Sequence, residues 1–306
     1  MANPLFDHLL APHIGSAAPF LYLPDGGRIS FGDFLTQSAQ FAEVIRNTGL
    51  KPGDRLAVQI EKSPQALAVY AACIITGVIF LPLNTAYSAT EISHFLTDSE
   101  ARMLLCNPAN AGVLEPVTSA SGAKVFTLGA HGNGSFIDAA IGQSAQFKVA
   151  PRSEDDLTAF LYTSGTTGRS NGAMLSHKTL LSNAQTLTKS WKFSARDILL
   201  HALPIFHSHG LFVASNITLI AGSSMMFLSK FDADQVISQM TRCTTMMGVP
   251  TFYTHLLEHP DFDAGLSAHM RLFISGSAPM LPETHTLFEA KTGHKVLEYY
   301  GMSETY

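Results

Sequence analysis

The sequence lacks the features that would place it in an oxidising compartment or a membrane. Its three cysteines, Cys73, Cys106 and Cys243, are odd in number and far apart, which excludes a disulfide framework and zinc-ligand spacing. We expect them to be small core residues. The chain does not open with the basic and apolar segments of a secretory signal. The most apolar run, residues 66–81, is shorter than the roughly 20 residues that cross a bilayer, so we expect a soluble, cytoplasmic protein with no membrane partner.

Charged residues are scarce as well. They make up 14% of the chain, against 46% hydrophobic residues, a balance that favours a large buried core. The net charge of -5 and the absence of a basic run exclude nucleic acid as a partner. At 306 residues the chain has room for roughly two domains.

Helical and strand patterns alternate along most of the sequence. An apolar helix over residues 64–76, for example, separates two predicted strands. Such alternation predicts the α/β class, with parallel sheets that carry helices on both faces. The stretch 128–151 resembles a connector, so we expect one α/β subdomain over residues 1–150 and a second over residues 151–306.

One loop is unusually rich in glycine and hydroxyl residues. It follows an apolar strand over residues 157–162 and precedes a helix-like segment that opens at Ala173. Backbone N–H groups and hydroxyls in such a loop suit a polyphosphate, although the Gly-Lys-Ser/Thr of a Walker A loop is missing. The alternative is a flexible surface turn. The loop consists of Thr163, Ser164, Gly165, Thr166, Thr167, Gly168, Arg169, Ser170 and Asn171.

Two histidines, His207 and His209, follow another predicted strand. They could ligate a metal, but no third ligand stands at a recognisable spacing, so a metal hydrolase is disfavoured. The alternative is a hydrogen-bonded pair of loop histidines.

Two more strand ends carry residues suited to a nucleotide. The turn Gly276, Ser277, Ala278 and Pro279 permits close backbone approach to a flat ring or a phosphate. The stretch 298–305 offers tyrosine faces for stacking, a serine hydroxyl and a carboxylate for magnesium. Together with the loop at Thr163, these residues favour a nucleotide site over plain packing.

The sequence resembles the AMP-forming acyl-CoA synthetase (adenylate-forming ligase) family over essentially its whole length. Residues 163–168 match the family phosphate loop, and residues 300–304 match its Tyr-Gly-x-Thr/Ser-Glu motif. Residues 201–213, 247–253 and 270–279 are similar to the malonyl-CoA synthetase branch of the family.

The resemblance implies a fold and a reaction. The fold would be the large N-terminal domain of an adenylate-forming ligase, with two doubly wound sheet subdomains. A small carboxylic acid, malonate in this branch, would attack ATP with Mg2+ to form an acyl adenylate and pyrophosphate. The thiol of CoA would then displace AMP to give the thioester.

The resemblance also implies roles for individual residues. The catalytic residues would be His207, Ser303 and Glu304, with Glu304 as the Mg2+ ligand. The acid or CoA would contact His207, His255, Arg271, Ser277 and Tyr299. ATP would contact the phosphate loop from Thr163 to Asn171 and a second group made of Gly276, Ser277, Ala278, Pro279, Tyr300, Gly301, Met302 and Ser303.

The chain departs from the family pattern at named positions. Asn171 stands where the phosphate loop usually carries a lysine, and Ser303 where a threonine is usual. His255 and Tyr299 replace the two arginines expected to hold the distal carboxylate of malonate, and a bidentate arginine contact is hard to replace. The chain also ends at Tyr306, before the C-terminal domain of the family, so we expect a fragment with little activity alone.

These departures leave alternatives to malonate activation. The protein could be a ligase for another short-chain carboxylic acid. It could also be a non-catalytic nucleotide- or CoA-binding protein. The sequence does not fix the oligomeric state.

Overall fold

The computed structural model describes residues 3–163 and 171–303, the side chain of Asn171 excepted. The chain forms two compact units. The first comprises Met1–Ser16 with Phe31–Ser182, and the second comprises Ala17–Ser30 with Asn183–Tyr306. The division at residue 150 stays a prediction.

Thirteen strands are present in the described residues: β1 Pro19–Tyr22, β2 Arg28–Ser30, β3 Arg55–Gln59, β4 Ile79–Pro82, β5 Met103–Cys106, β6 Lys124–Thr127, β7 Leu157–Thr163, β8 Asn171–Ser176, β9 Ile198–His201, β10 Ser224–Phe227, β11 Thr245–Gly248, β12 Leu272–Gly276 and β13 Val296–Tyr299. The α-helices of the same residues are α1 Phe31–Asn47, α2 Pro64–Thr76, α3 Ala89–Asp98, α4 Ala111–Ser121, α5 Ser135–Ala140, α6 His177–Ser190, α7 Asn216–Ala221, α8 Ala233–Met240, α9 Pro250–Glu258, α10 Ala264–Ser267 and α11 Pro282–Thr292.

Each unit contains one mixed sheet. The sheet of the first unit has the order β6-β5-β3-β4-β7-β8, and only the β7–β8 pair is antiparallel. The sheet of the second unit has the order β13-β12-β11-β9-β10-β1-β2, and only the β1–β2 pair is antiparallel. The predicted α/β class is therefore confirmed.

Helix α2 shows how local sequence sets these elements. The Ser63 side chain accepts a hydrogen bond from the N–H of Ala66, Pro64 occupies the first turn, and Gly77 ends the helix in the left-handed conformation. Residues 66–76 are all buried, so α2 is a core helix. No helix in the described part of the chain combines the length and apolarity needed to span a bilayer.

The segment after the phosphate loop differs from the prediction. Ala173 lies in strand β8, not at the start of a helix, and α6 begins only at His177. Ala173 and Leu175 are buried while Met174 is exposed, which is the two-residue period of a strand on a half-covered sheet. The strands on either side of sequence segment 164–170, β7 and β8, are therefore antiparallel.

The core of the second unit positions the carboxyl ends of its strands. Tyr253 of α9 is fully buried, and its hydroxyl donates a 2.5 Å hydrogen bond to the carbonyl of Ile274 in β12. Phe288 of α11 packs against Tyr253 and Phe273 at ring-centroid distances of 5.5 and 5.0 Å. These contacts fix α9 and α11 against the strand that leads into the Gly276 turn.

Two glycines of the first unit, which follow the last residues of α2 and α4, provide a matched test of the packing around them. Gly77 and Gly122 have φ values of 70° and 72°, but a Cβ at Gly122 meets nothing, whereas one at Gly77 would lie 2.9 Å from Cδ of Arg152 and 3.2 Å from Cβ of Pro52. We expect Gly122→Ala to lower the free energy of unfolding by about 1 kcal/mol through backbone strain. Gly77→Ala should cost roughly 2–3 kcal/mol because overpacking adds to the strain. Urea unfolding of both variants measures the difference, and equal losses would contradict the packing described here.

Candidate functional site

Three strand ends of the second unit bring chemically capable residues to one edge of the sheet. Strands β9, β12 and β13 are parallel, so their carboxyl ends share an edge, where α/β sheets usually bind ligands. The loop with His207 and His209 follows β9, the turn at Ser277 follows β12, and the stretch 300–303 follows β13.

His209 is held rigidly at this edge. It opens a π-helical segment, His209–Ser215, and the next residue must be glycine because a Cβ on Gly210 would lie 2.0 Å from the carbonyl oxygen of Pro204. The carbonyl of Gly210 in turn lies 2.8 Å from Nε2 of His201. The His209 ring is 4% exposed. Burial alone lowers its pKa to about 4, so the ring is neutral at neutral pH.

The two ring nitrogens of His209 differ in their environment. Nδ1 lies 3.3 Å from Oγ of Ser277. Nε2 is buried and has no hydrogen-bond partner in the structure. A buried polar atom without a partner is costly, so this nitrogen marks a place where a ligand group would be stabilising.

The Gly276 turn is shaped by its neighbours. A Cβ on Gly276 would lie 2.9 Å from Cε1 of His209 and 3.3 Å from Cδ1 of Tyr299, so only glycine lets both rings approach the strand. Ser277 adopts a φ of 69°, a strained conformation of the kind found at functional sites. The N–H of Met280 donates a 2.7 Å hydrogen bond to Oε1 of Glu298, which fixes the far side of the turn.

Tyr299 lies beside His209 at the end of β13. Its ring centroid is 5.5 Å from that of Trp191 and 6.1 Å from that of His209. Burial raises the pKa of Tyr299, and a hydrogen bond with the Asn183 side chain opposes this shift. Oδ1 of Asn183 is buried without a partner in the structure. We call His209, Ser277, Tyr299 and Asn183 the Tyr299 cluster.

The predicted nucleotide residues lie in two places. Ala278 and Pro279 continue the Gly276 turn and are exposed. Tyr300 directly follows β13 and is 85% exposed. Gly301, Met302 and Ser303 follow, whereas Glu304, the predicted magnesium ligand, lies outside the described residues.

The predicted phosphate loop belongs to the first unit. Thr163 ends β7 and pairs in register with Asn171, the first residue of β8. The seven residues between them, Ser164 to Ser170, lie outside the described residues. Their assignment to ATP therefore stays a prediction.

The residues expected to contact the acid or CoA are not all found together. His207 is exposed in the loop after β9, and partial burial of its ring lowers its pKa. His255 is in the last turn of α9, with Nδ1 3.7 Å from a carboxylate oxygen of Glu258. Arg271 precedes β12 at the amino end of the sheet, where it binds Asp197. Its role in acid binding stays a prediction, and this placement speaks against it.

Sequence reasoning missed three residues of this edge. The sequence offers His209 as a metal ligand or as one of a hydrogen-bonded pair of loop histidines, and it gives no signal for Asn183 or Trp191. Asn183 lies in α6 and Trp191 directly follows it. No sequence motif indicates that this part of the chain lies near Tyr299. Among the described residues, no group of three or more histidine, cysteine or carboxylate side chains could hold a metal ion.

Comparison with known proteins gives matches along the whole chain. The family model described as AMP-binding enzyme matches residues 14–306. The crystal structure of apo MatB from Rhodopseudomonas palustris is 48% identical, with a TM-score of 0.95, over 100% of this chain and 61% of that chain. A malonate–CoA ligase of Arabidopsis thaliana is 29% identical over 89% of this chain and 48% of its own length. A feruloyl-CoA synthase of an Amycolatopsis species is 30% identical over 91% of this chain and 55% of its own length.

These matches cover only part of each relative. The chain spans about half the length of the curated relatives it matches. The fold likeness to the MatB structure confirms the predicted α/β architecture over the whole chain.

The pairing of Arg271 with Asp197 can be tested through its effect on stability. Burial of Asp197 opposes ionisation, but hydrogen bonds from Arg271, Ser194 and Thr244 outweigh it and hold the pKa of the Asp197 carboxyl below its usual value. We expect Asp197→Asn to lower the free energy of unfolding at pH 7 by roughly 2–3 kcal/mol. The exposed Arg196→Gln should change it by less than about 0.5 kcal/mol.

The pH dependence of this loss of stability follows from the lowered pKa of the Asp197 carboxyl. A carboxyl with a lowered folded-state pKa stabilises the protein above its unfolded pKa, near 4, and that contribution disappears as pH falls through the folded value. Denaturant titrations should therefore show the gap between wild type and Asp197→Asn narrowing below about pH 4. A gap that stays constant to pH 3 would contradict the assigned shift.

Proposed function

Because this chain belongs to the family of AMP-binding enzymes, with the family model matching residues 14–306, we propose that the protein joins a small carboxylic acid to CoA in an ATP-dependent, AMP-forming reaction. The observation that carries the proposal is the meeting of His209, the Gly276 turn and Tyr299 at one sheet edge. That edge directly precedes the Tyr300–Ser303 segment, which carries the family motif.

The proposed reaction has two steps. A carboxylate oxygen of the acid bonds to the α-phosphorus of ATP, and the bond to the pyrophosphate group breaks, which gives an acyl adenylate. The thiol sulfur of CoA then bonds to the acyl carbon, AMP leaves, and the thiol proton passes to solvent. Both reactants of the first step are anions, so the protein must supply donors where negative charge accumulates.

The described residues have distinct tasks in this proposal. The exposed ring of Tyr300 offers a stacking face for adenine. The Gly276 turn lets the nucleotide approach the backbone, and the Ser303 hydroxyl donates to a phosphate oxygen. His207, exposed at the same edge, contacts the acid or the entering CoA. Mg2+ would neutralise phosphate charge, with Glu304 as its ligand predicted from the sequence alone.

The names of the relatives suggest the acid. MatB is 48% identical to this chain, and the Arabidopsis thaliana relative is a malonate–CoA ligase, so malonate is the first acid to test. Another short-chain acid is the alternative within the same reaction, because His255 and Tyr299 stand where arginines are expected.

A non-catalytic nucleotide-binding protein is the second candidate. Asn171 favours it, since a neutral amide stands where the phosphate loop usually carries a lysine. The two candidates differ in one measurable property: only the ligase releases pyrophosphate when an acid is added.

The exchange of labelled pyrophosphate into ATP tests the ligase. With the full-length gene product and a panel of short carboxylic acids, we expect acid-dependent exchange. Glu304→Gln should reduce it by about 100-fold because phosphate charge loses its metal-linked stabilisation. The exposed Glu289→Gln on α11 should leave it unchanged. ATP binding without exchange for any acid would replace the ligase by the nucleotide-binding protein.

A further inference from the structure

The Tyr299 cluster contains two buried polar atoms that have no hydrogen-bond partner among the residues that the structure describes. Nε2 of His209 and Oδ1 of Asn183 both lack a hydrogen-bond partner in the structure. The His209 ring contacts that of Tyr299, and the Asn183 side chain is near enough to Tyr299 to oppose the rise of its pKa. Two unpaired polar atoms around one side chain point to a ligand group that forms the missing hydrogen bonds.

The cluster carries no positive charge. Among the described residues, no hydrogen bond or ion pair joins a lysine or arginine to a member of the cluster. No charged neighbour contributes to the lowered pKa of His209 or to the raised pKa of Tyr299. Within residues 3–163 and 171–303, the partners that the cluster offers are therefore neutral donors and acceptors.

Two basic residues of this unit, Arg271 and Lys230, are engaged or distant. Arg271 lies at the amino end, where Asp197 holds it through two hydrogen bonds of 2.6 and 2.9 Å. Lys230 is exposed in the loop after β10, and β10 is three strands away from β12, or roughly 14 Å at the usual strand spacing.

We propose that the Tyr299 cluster binds the tail of the acid, and that this tail is an uncharged hydrogen-bonding group, a carboxamide or a hydroxyl, not a second carboxylate. The inference rests on the ligase function proposed above and narrows its substrate class. It makes Tyr299 the residue that sets the charge of the accepted acid.

The chemistry of the orphaned atoms favours this class. Asn183 Oδ1 can only accept a hydrogen bond, so it needs an N–H or O–H from the ligand. His209 Nε2 donates or accepts according to whether Nδ1 accepts from Ser277 or donates to it. A carboxamide or a hydroxyl can donate a hydrogen bond to Asn183 Oδ1 and can donate to or accept from His209 Nε2. A carboxylate has no donor for Asn183, and its buried charge would lie among neutral groups.

Sulfamoyl adenosine analogues of the acyl adenylate test the proposal by calorimetry at pH 7.5. Three analogues have nearly equal shape: the malonyl analogue ends in a carboxylate, the malonamoyl analogue in a carboxamide, and the 3-methylbutanoyl analogue in two methyl groups. We expect the malonamoyl analogue to bind at least about tenfold more tightly than either of the others. AMP serves as the probe of the nucleotide site alone.

Each outcome has a defined meaning. If the malonyl analogue binds as tightly as the malonamoyl analogue or more tightly, the uncharged tail is wrong while the ligase function survives. If the 3-methylbutanoyl analogue binds equally well, the hydrogen-bonding role of the cluster is wrong. If neither AMP nor any analogue binds, the proposed function itself fails.

Variants at Tyr299 separate charge from shape. Tyr299→Arg should reverse the order, so that the malonyl analogue binds at least about tenfold more tightly than the malonamoyl analogue. Tyr299→Phe should reduce the advantage of the malonamoyl over the 3-methylbutanoyl analogue without improving malonyl binding. Leu297→Arg, which adds the same charge to an exposed position of β13, is the matched control and should keep the wild-type order. An unchanged order in Tyr299→Arg would overturn the role of Tyr299.

Discussion

The candidate site of the second unit depends on the missing side chain at Gly276. A Cβ at this position would lie 2.9 Å from Cε1 of His209, which is a clash, and 3.3 Å from Cδ1 of Tyr299, which is tighter than an ordinary contact. Close-packed interiors cannot yield several tenths of an ångström without repacking their neighbours. The rings can therefore meet at the carboxyl end of β12 only if this position is glycine, and the positive φ of Ser277 follows from the same tight turn.

Burial determines the charge state of this edge. The His209 ring is buried and stays neutral, while the carboxylate of Asp197, at the other end of the sheet, stays ionised because Arg271, Ser194 and Thr244 form hydrogen bonds with it. The Arg271–Asp197 ion pair therefore lies at the opposite end of the sheet from the candidate site. The site is left with dipoles and hydrogen-bond donors, whose energies depend on geometry more than on salt.

Much of the fold could be predicted from the sequence because apolar runs and the residues that end them mark many of its helices and strands. Helix α2 was predicted to the residue, since Ser63, Pro64 and Gly77 mark its ends chemically. Strand β8 differs from the prediction because the sequence indicates a helix-like segment that opens at Ala173, whereas Asn171–Ser176 is a strand. Its pairing with β7 is a long-range property that no local pattern reports.

The site was only partly predictable for a related reason. Ser277, Tyr299 and His207 lie in recognisable motifs at strand ends. Asn183 lies in helix α6 and Trp191 directly follows it; this part of the chain is distant in sequence from Tyr299 and carries no motif. The contact of Arg271 with Asp197 was equally invisible, because the two residues are 74 positions apart and meet only when β12 pairs into the sheet.

Two adjacent residues of strand β13, Glu298 and Tyr299, have different roles. Glu298 and Tyr299 project from opposite faces of the sheet, so Glu298 anchors Met280 and the turn from behind while Tyr299 faces the other rings. The hydrogen bond between Glu298 and Met280 therefore does not depend on the side chain at position 299. Under the proposal that Tyr299 contacts the acid, a single substitution there would change the accepted acid and leave this anchor of the turn in place.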